Sequence, residues 1–450
     1  MMNKKKQSFI VLSVMGLLLS GHAHSDVVDG PGGTIDITMG IATSSTSPEA
    51  ALHTALVQMC NPLDGTLPPG SLRNICEAIL ANTNQAGDAY RQISARSISA
   101  ISSLLSQGTL LMSMEDISSR LAALRRAARN QQSMSALDPW RGRQVPELAS
   151  LLNAYGGGAG DNNSINQSYF VSVSHINSEQ DETNAVAGFE SNIYAATIGM
   201  DYRLSRQLFA GFASRLLSGD TELSYNGGSL SSRDTNLTYY ASYFPTQNLY
   251  FDGTLQVSRG FYDLSRKIDF TVGAVTVRET TEGRTRGSQL GLTLGAGYEY
   301  YIRPMELTAQ VSAKYRYNRA ALEAYRESGG GAVNLDVDGQ TINTQVASLG
   351  VTLNKAFSYS GGVILPQLDL VWKHDFATSG QDVSASFVSD PNGTKFIYRT
   401  DEKDSDFFEL SLGLSSIRVG GMTTFFQYTS LLGYDNYEQS LFSLGVRAEF

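Results

Sequence analysis

Three histidines beyond residue 25 are the residues whose chemistry could make this chain an enzyme: His53, His175 and His374. A histidine acts as a general base when it stands beside a serine or a carboxylate. Asp375 follows His374, but consecutive side chains of a strand point to opposite faces. We expect His53 on a helix surface and the other two near strand ends. The sequence therefore predicts no catalytic centre.

Charged side chains that alternate with apolar ones form a second group of candidates. In residues 306–317, the odd positions are apolar and the even positions are polar or charged. Mixed signs on one strand face suit a hydrated lumen whose ion pairs hold a plugging segment. They suit equally a lining that neutralises itself and binds no ligand. The charged residues of this parity are Asp201, Arg203, Arg215, Asp252, Glu299, Lys314, Arg316, Asp369, Lys373, Glu409, Arg447 and Glu449.

Cys60 and Cys76 are the only two cysteines of the sequence. An oxidising compartment would join them in a disulfide. Closing a loop of this length stabilises a fold by about 3 kcal/mol. Two thiols without a nearby histidine would leave zinc under-coordinated. The sequence therefore predicts one disulfide, no metal site and no cofactor.

The composition excludes several classes of partner. The 450 residues carry 34 Lys plus Arg against 43 Asp plus Glu, a formal net charge of −9. Nucleic acids are bound by clustered positive charge, so we expect no nucleic-acid partner, and the acidic balance also argues against a polybasic lipid-binding surface. Hydrophobic residues make up only 42% of the chain. That value is compatible with a membrane barrel, because only alternate residues of its strands face lipid.

The N-terminus has the organisation of a secretory signal peptide over residues 1–25. Lys4–Lys6 give a positive start, and Phe9–Leu19 form a short apolar run. Small residues at cleavage spacing follow: Gly21, Ala23 and Ser25. The apolar run is too short to span about 30 Å of hydrocarbon. We therefore expect export, with cleavage after Ala23 or Ser25.

The capping residues and apolar spacing within residues 26–130 predict a small helical region that contains the disulfide. Ser47-Pro48-Glu49 has the order of an N-cap, a first-turn proline and an acidic first turn. Ser71 is placed to cap a second helix, so Cys60 would end the first helix and Cys76 would lie within the second. Further apolar stripes at helical spacing are Ile98, Ile101 and Leu105, then Met114, Ile117, Leu121 and Leu124. These stripes suit a small helical core or, alternatively, a partner-binding coiled coil.

Residues 131–167 predict a flexible linker or pore segment. Regular structure is disfavoured by four closely spaced glycines, because glycine loses the most conformational entropy on ordering. These are Gly156–Gly158 and Gly160. Asn162-Asn163 follows these glycines.

Residues 168–450 alternate with the period of β-strands, and the segments are often ten or more residues long. Tight turns such as Ser205–Gln207 alternate with long polar stretches near 219–231, 264–286, 320–341 and 378–403. Short turns on one side and long loops on the other are typical of outer-membrane barrels. We count twelve predicted strands, which places both ends of the barrel on the short-turn, periplasmic side. The fold class predicted is a 12-stranded antiparallel transmembrane β-barrel preceded by a small α-helical region.

The last residues alternate up to the C-terminus: Phe442, Leu444, Val446, Ala448 and Phe450. The pattern that includes Gly445, Ala448 and Phe450 is similar to the terminal signal read by the barrel assembly machinery. Residues 168–450 as a whole resemble the translocator β-domain of the autotransporters. The segments that carry this resemblance are Gly188-Phe189, Ile198–Arg203, Tyr250–Gly253, Ile364–Gln367, Trp372–His374, Phe387–Pro391, Phe425–Tyr428, Leu432-Gly433 and Leu444–Phe450. Upstream, Ile117–Arg125 is similar to a helix that precedes the barrel in many members.

The resemblance implies a monomeric outer-membrane protein of a Gram-negative bacterium. Its partners would be outer-membrane lipid, the barrel assembly machinery, periplasmic chaperones and an unknown surface ligand. The leading hypothesis is that the barrel exports or anchors its own N-terminal region at the cell surface. The second is a structural barrel whose helical domain stays periplasmic, and the third is a barrel hydrolase. In one autotransporter subgroup an asparagine pair in the pore is cleaved, so Asn162-Asn163 is a candidate cleavage site.

Overall fold

The computed structural model describes residues 47–62, 65–105, 117, 121, 167–224, 228–418 and 422–449. Four α-helices have bounds within these ranges: α1 Pro48–Cys60, α2 Gly70–Ala81, α3 Gly87–Ile93 and α4 Arg96–Ser103. The predicted signal peptide, most of the predicted pore segment with Asn162-Asn163, and Phe450 lie outside the described residues.

Twelve long antiparallel strands form a closed barrel, as the sequence predicts. Closure is completed by the first and last strands, which pair from Ser168↔Glu449 to Gln180↔Tyr437. The barrel strands are β1 Gln167–Gln180, β2 Phe189–Arg203, β3 Leu208–Leu223, β4 Ser229–Tyr243, β5 Leu249–Val272, β6 Val275–Ile302, β7 Leu307–Leu322, β10 Gln340–Lys355, β12 Gly362–Asp375, β15 Asp406–Arg418, β16 Met422–Leu432 and β17 Tyr437–Glu449. The short strand β11 (Phe357–Tyr359) pairs with the start of β12.

The two ends of the barrel differ. At the short-turn end, strand β1 begins, strand β17 ends, and turns such as 204–207 join neighbouring strands. At the opposite, long-loop end, the connections carry secondary structure of their own. The short strands β8 Tyr325–Arg326, β9 Leu335–Val337, β13 Asp382–Phe387 and β14 Lys395–Arg399 form a second sheet in the order β14-β13-β9-β8.

Part of each stretch predicted as a long loop forms strands, which corrects that expectation. The stretch 264–286 belongs to a β5–β6 hairpin that pairs as far as Val272↔Val275. The stretch 378–403 supplies β13 and β14. The reason is that their inward side chains, such as Ile268 and Phe396, are buried against the helices. Burial of these side chains gives a favourable term that offsets the entropy of ordering the loops.

Side chains alternate along the barrel strands between an exposed apolar set and a buried, mostly polar set. Tyr194 and Ile198 of β2 are 62% and 61% exposed, whereas Thr197 and Asp201 are buried. Exposed apolar side chains on a barrel exterior face lipid. Among the described residues, no helix is both long and apolar enough to cross a membrane.

Helices α1–α4, here called the cap, pack into the long-loop end of the barrel. One apolar cluster joins their buried residues, such as Leu52 and Ile98, to inward residues of the strands, such as Phe189 and Tyr262. A disulfide joins Cys60 at the end of α1 to Cys76 within α2, as predicted.

The capping residues of the first two helices differ in how well the sequence predicts them. Ser47 caps α1 as predicted, because its Oγ accepts a bond from the Ala50 amide at 3.1 Å. Ser71, however, lies inside the first turn of α2. That helix begins at Gly70 after Pro69 and has no side-chain cap.

Two residues of the fourth predicted stripe lie inside the barrel near the short-turn end. Ile117 and Leu121 are buried in a separate apolar cluster with strand residues that include Phe170, Phe209 and Tyr250. The cap thus occupies one end of the barrel, and Ile117 and Leu121 lie near the other, where β1 begins.

Candidate functional site

The charged residues predicted to line the lumen all lie on the inward parity of the barrel strands. Seven of them are less than 10% exposed: Asp201, Arg215, Glu299, Asp369, Lys373, Glu409 and Arg447. Four others are half-buried: Arg203, Asp252, Lys314 and Arg316. The side chain of Glu449 lies outside the described residues. A specific role for these charges as ligand-binding residues stays a prediction.

Polar contacts between the described lumen residues include two clusters around predicted charged residues. In the first, Asp201 accepts hydrogen bonds from Ser168 Oγ at 3.1 Å and from Tyr240 Oη at 2.5 Å. In the second, Lys373 pairs with Glu409. Near it, the carboxylate of Asp369 accepts bonds from Thr352 Oγ1 at 2.5 Å and Gln367 Nε2 at 2.8 Å. Lys373 lies on β12 and Glu409 on β15, so this ion pair joins two neighbouring strands.

Two of the three residues of the predicted assembly signal lie in β17. Gly445 is inward and lies under the ring of Phe425, whose Cζ would be 2.2 Å from an added Cβ. Ala448 pairs with Tyr169 of β1 and Met422 of β16. Both residues lie on β17, the strand that closes the barrel by pairing with β1. Their recognition by an assembly machinery stays a prediction.

A polar seam joins the cap to the barrel mouth, and Arg96 at the start of α4 is its most connected residue. The Arg96 guanidinium lies 3.3 Å from Glu49 Oε1 and 3.0 Å from Glu182 Oε1. It also donates to the carbonyl oxygen of Thr183. Glu49 belongs to the cap and Glu182 to the β1–β2 loop. Arg96 therefore links the two parts through charge-assisted bonds.

A buried ion pair lies on the barrel side of this seam. Arg266 of β5 and Glu327 form a two-point pair at 2.7 and 2.6 Å, and both side chains are at most 3% exposed. Arg266 also donates to the carbonyl oxygen of Gln92 at the end of α3. Burial would lower the pKa of Arg266, but the adjacent Glu327 carboxylate raises this pKa above its ordinary value. The guanidinium is thus kept charged beneath the cap.

Neutral hydrogen bonds complete the seam. Ser102 of α4 donates to Gln340 Oε1 at 2.5 Å, and Tyr398 of β14 donates to the carbonyl oxygen of Ala95 at 2.8 Å. Burial raises the pKa of Tyr398, so its hydroxyl stays a donor at neutral pH. At the α1–α2 connection, the Asn392 carboxamide donates to the Thr66 carbonyl at 2.8 Å and accepts from the Thr66 amide at 3.3 Å.

The three histidines lie apart from one another. His53 Nδ1 lies 2.6 Å from Tyr90 Oη inside the cap, and His175 Nε2 lies 3.2 Å from Asn192 Oδ1 on the barrel wall. His374 Nδ1 lies 3.0 Å from Asp406 Oδ1 on the neighbouring strand. The sequence-adjacent Asp375 is instead buried on the inward side. Within the described ranges, no cluster of three or more His, Cys, Asp or Glu residues could hold a metal ion.

Sequence reasoning missed the seam, because its partners are distant in the chain. Ser102 and Gln340 are 238 positions apart, and Arg266 and Glu327 are 61 apart. One signal was present: Arg266 interrupts an apolar parity that runs through Tyr262, Leu264 and Ile268. A charge at such a position indicates a buried partner.

Comparison with known proteins gives the same fold. The model of the autotransporter beta-domain family matches residues 169–429. Lipase 1 of Photorhabdus luminescens is 22% identical over 284 residues, which are 61% of this chain and 41% of that protein. Outer membrane protein A of Rickettsia rickettsii is 26% identical over 196 residues, which are 43% of this chain and 9% of that protein. The chain spans less than half the length of these curated relatives.

Two solved structures are also similar. The translocator domain of the autotransporter NalP from Neisseria meningitidis has a TM-score of 0.49 and 15% identity, over 72% of this chain and 98% of that one. The beta domain of the Bordetella autotransporter Brka has a TM-score of 0.47 and 19% identity, over 63% and 100%. Because the family model matches more than half of the sequence, this chain belongs to the autotransporter beta-domain family, and its barrel is an outer-membrane barrel of Gram-negative bacteria.

Proposed function

We propose that this barrel carries its own N-terminal helical region across the outer membrane and retains it there as a folded cap in the external mouth. The observation that carries the proposal is the position of the cap at the long-loop end, opposite the ends of β1 and β17. In outer-membrane barrels the short turns are periplasmic and the long loops are extracellular. The chain would enter at the periplasmic end, fold at the other, and remain connected through the lumen.

Retention is supported by the nature of the cap contacts. The cap shares one apolar cluster with the barrel mouth, and Arg96, Gln92 and Ser102 all bond to barrel residues. A released passenger would leave these apolar residues exposed to water. The same contacts favour this function over the alternative of a periplasmic helical domain. Cleavage at Asn162-Asn163 and a ligand of the displayed surface remain separate hypotheses.

Surface accessibility tests the proposal. A peptide tag inserted after Asp26 should bind antibody on intact cells, whereas the same tag in the short turn 245–248 should bind only after lysis. Tag exposure should increase when cells grow with reductant, because α1 and α2, each about 10 Å across, can pass a narrow lumen more easily without their disulfide. A tag at Asp26 that is detected only after lysis would contradict surface display.

Hydrolysis is the second candidate, and one contact favours it. His374 is paired with Asp406 on the outer face of the barrel, and the chain is similar to a protein named Lipase 1. Purified protein should be assayed on a fatty-acid ester. Loss of any such activity in a His175→Ala, His374→Ala double variant would support a histidine-dependent hydrolase, and full retention would reject it.

A further inference from the structure

Four arginines, here called the arginine patch, lie on the outer wall of the barrel, one on each of the consecutive strands β4–β7. They are Arg233, Arg259, Arg286 and Arg319, and all four are exposed. At each position the next residue along the strand is buried: Asp234, Gly260, Gly287 and Ala320. Because side chains alternate along a strand, the arginines point away from the lumen.

Strand pairing brings the four arginines together although they are far apart in the sequence. Arg259 lies in a row of paired residues that is completed by Thr235, Ser288 and Ala321. Each of the other three arginines is two residues from its strand's member of this row, on the same face. Neighbouring strands are about 4.8 Å apart, so the patch is about 15 Å wide.

An aromatic ring lies within the patch. Phe261, which is 48% exposed, pairs with Arg233 on one side and with Arg286 on the other. The guanidinium carbon of Arg286 lies 5.7 Å from the centre of this ring. Aromatic side chains beside cations are typical of the level at which a barrel leaves the hydrocarbon and meets the lipid headgroups.

The patch borders the apolar band of the barrel on its long-loop side. Towards the short-turn end, the first apolar outward residues are Leu237 on β4, Val257 on β5, Leu290 on β6 and Tyr317 on β7. Each arginine is therefore the first outward charge beyond the band. On β1, β2, β3, β15 and β17 the corresponding charge is a carboxylate: Glu179, Glu190, Asp220, Asp406 and Glu438. Positive charge is thus confined to one sector of this rim.

The arginines of the patch are not neutralised by the protein. Within the part of the chain that the structure describes, no ion pair joins any of the four to a carboxylate. The next outward carboxylates on the long-loop side have other partners: Asp263 pairs with Arg284 at 3.1 Å, and Asp220 accepts a bond from Ser231 Oγ at 3.0 Å. Cations beside hydrocarbon are costly unless a counter-charge is supplied, so the patch points to an anionic ligand.

We propose that the arginine patch binds a phosphorylated glycolipid of the outer leaflet. The guanidinium groups would form two-point, charge-assisted bonds with its phosphate oxygens, and its acyl chains would lie along the apolar residues next to the patch. Continuity with the apolar band favours a lipid over a free anion. The net charge of −9 argues against a polybasic surface, but strand pairing concentrates four of the 34 cations at one place. The site does not involve the cap, and it shares with the proposed function only the outward orientation of the long-loop end.

Native mass spectrometry of the full-length protein, titrated in detergent with diphosphoryl lipid A, tests the proposal. The wild type should bind the lipid saturably. An Arg259→Gln, Arg286→Gln variant should bind it about thirtyfold more weakly, and an Arg233→Gln, Arg319→Gln variant should be weakened similarly. The heat-induced gel shift verifies that each barrel is folded. Arg326→Gln, Arg399→Gln is the matched control, because it removes two exposed arginines from the second sheet. Equal weakening in the control and in the patch variants would overturn the site.

Two competitors identify what the patch recognises. Dephosphorylated lipid A and millimolar inorganic phosphate should each fail to displace the bound lipid. Displacement by the first would mean that acyl chains alone carry the binding, and displacement by the second would mean a site for free phosphate. Either result would reject the proposal. Surface tags test the proposed function separately, so loss of lipid binding with the Asp26 tag still exposed would reject only the lipid site.

Discussion

The side-chain carboxamide of Gln92 bonds twice to the main chain of Asp269. Its Nε2 donates to the Asp269 carbonyl oxygen at 2.9 Å, and its Oε1 accepts from the Asp269 amide at 2.6 Å. Among the described residues, strand β5 pairs with β4 only as far as Ser265, so Asp269 lies on an edge of the β5–β6 hairpin that no described strand covers. The cap thus satisfies an edge that would otherwise be open to another chain.

Replacing Gln92 should loosen the cap and leave the barrel intact. In Gln92→Ala, two partly buried main-chain groups of Asp269 lose their partners, which costs about 1–3 kcal/mol. We expect the cap to become protease-sensitive at lower urea concentration, while the heat-induced gel shift of the barrel stays unchanged. Gln58→Ala, on an exposed position of α1, is the control. Equal protease sensitivity of the two variants would contradict this role of Gln92.

Breaking the buried ion pair Arg266–Glu327 should destabilise the docked cap more than replacing Gln92. Glu327→Gln would leave the Arg266 guanidinium buried without its counter-charge, and this should destabilise cap docking by about 3–5 kcal/mol. An Arg266→Met, Glu327→Leu double variant should recover most of the loss, because no charge is then buried. Arg278→Gln, which breaks an ion pair that is 76% and 63% exposed, should change stability by at most about 1 kcal/mol. Thermal protease sensitivity of the cap measures all three, and a mild effect of Glu327→Gln would contradict the assignment.

Acid should loosen the sheet formed by β8, β9, β13 and β14. Hydrogen bonds from Arg399 and from Lys395 lower the pKa values of Asp382 and Asp338, respectively. A carboxylate whose pKa is lower in the folded state stabilises that state above its unfolded pKa, and the contribution is lost as pH falls below about 4. Hydrogen exchange of residues 382–399, corrected for its intrinsic pH dependence, should therefore speed up in acid. An Asp338→Asn, Asp382→Asn variant should lose this dependence, and an unchanged profile would refute the explanation.

A glycine in the barrel wall should tolerate no side chain. An added Cβ at Gly199 would lie 2.2 Å from Cε1 of Phe170, the residue opposite it on β1. We expect Gly199→Ala to cost about 1–3 kcal/mol through overpacking. The temperature of the heat-induced gel shift should fall accordingly. Gly253→Ala is the matched control, since its nearest neighbour would be 3.7 Å away, and equal shifts in both variants would contradict the prediction.

The disulfide should stabilise the cap. A Cys60→Ser, Cys76→Ser variant loses a covalent link across a short loop, which costs about 3 kcal/mol in the chain-entropy model. The urea midpoint of cap protease sensitivity should fall, and reductant should lower the wild-type midpoint to the same value. A midpoint that reductant does not change would mean that the two sulfurs are not joined in the protein as isolated.

Much of the architecture could be predicted because it depends on local periodicity. Strand alternation gave the twelve barrel strands, and helical spacing gave α1, α2 and α4. The same spacing does not predict helix α3 (Gly87–Ile93), since seven residues are too few for a helical period to be recognised. For residues 264–286 the sequence predicts a polar loop, because outward residues of the hairpin, such as Asp269 and Arg278, are charged. The apolar character of its inward residues is explained only by the helices that pack against them, and these contacts are not visible in the sequence.

The apolar lining of the barrel mouth limits which N-terminal segments the barrel can accommodate. The helices in the barrel mouth shield several apolar side chains of the strands from water. These side chains are Phe189, Tyr262, Ile268 and Phe270. A variant truncated to begin at residue 167, or one in which a foreign sequence replaces the helices, would expose this apolar surface to solvent. We expect such a variant to aggregate during biogenesis. The barrel and the helices in its mouth are therefore one matched unit, and a foreign segment in place of the helices would not cover these apolar side chains.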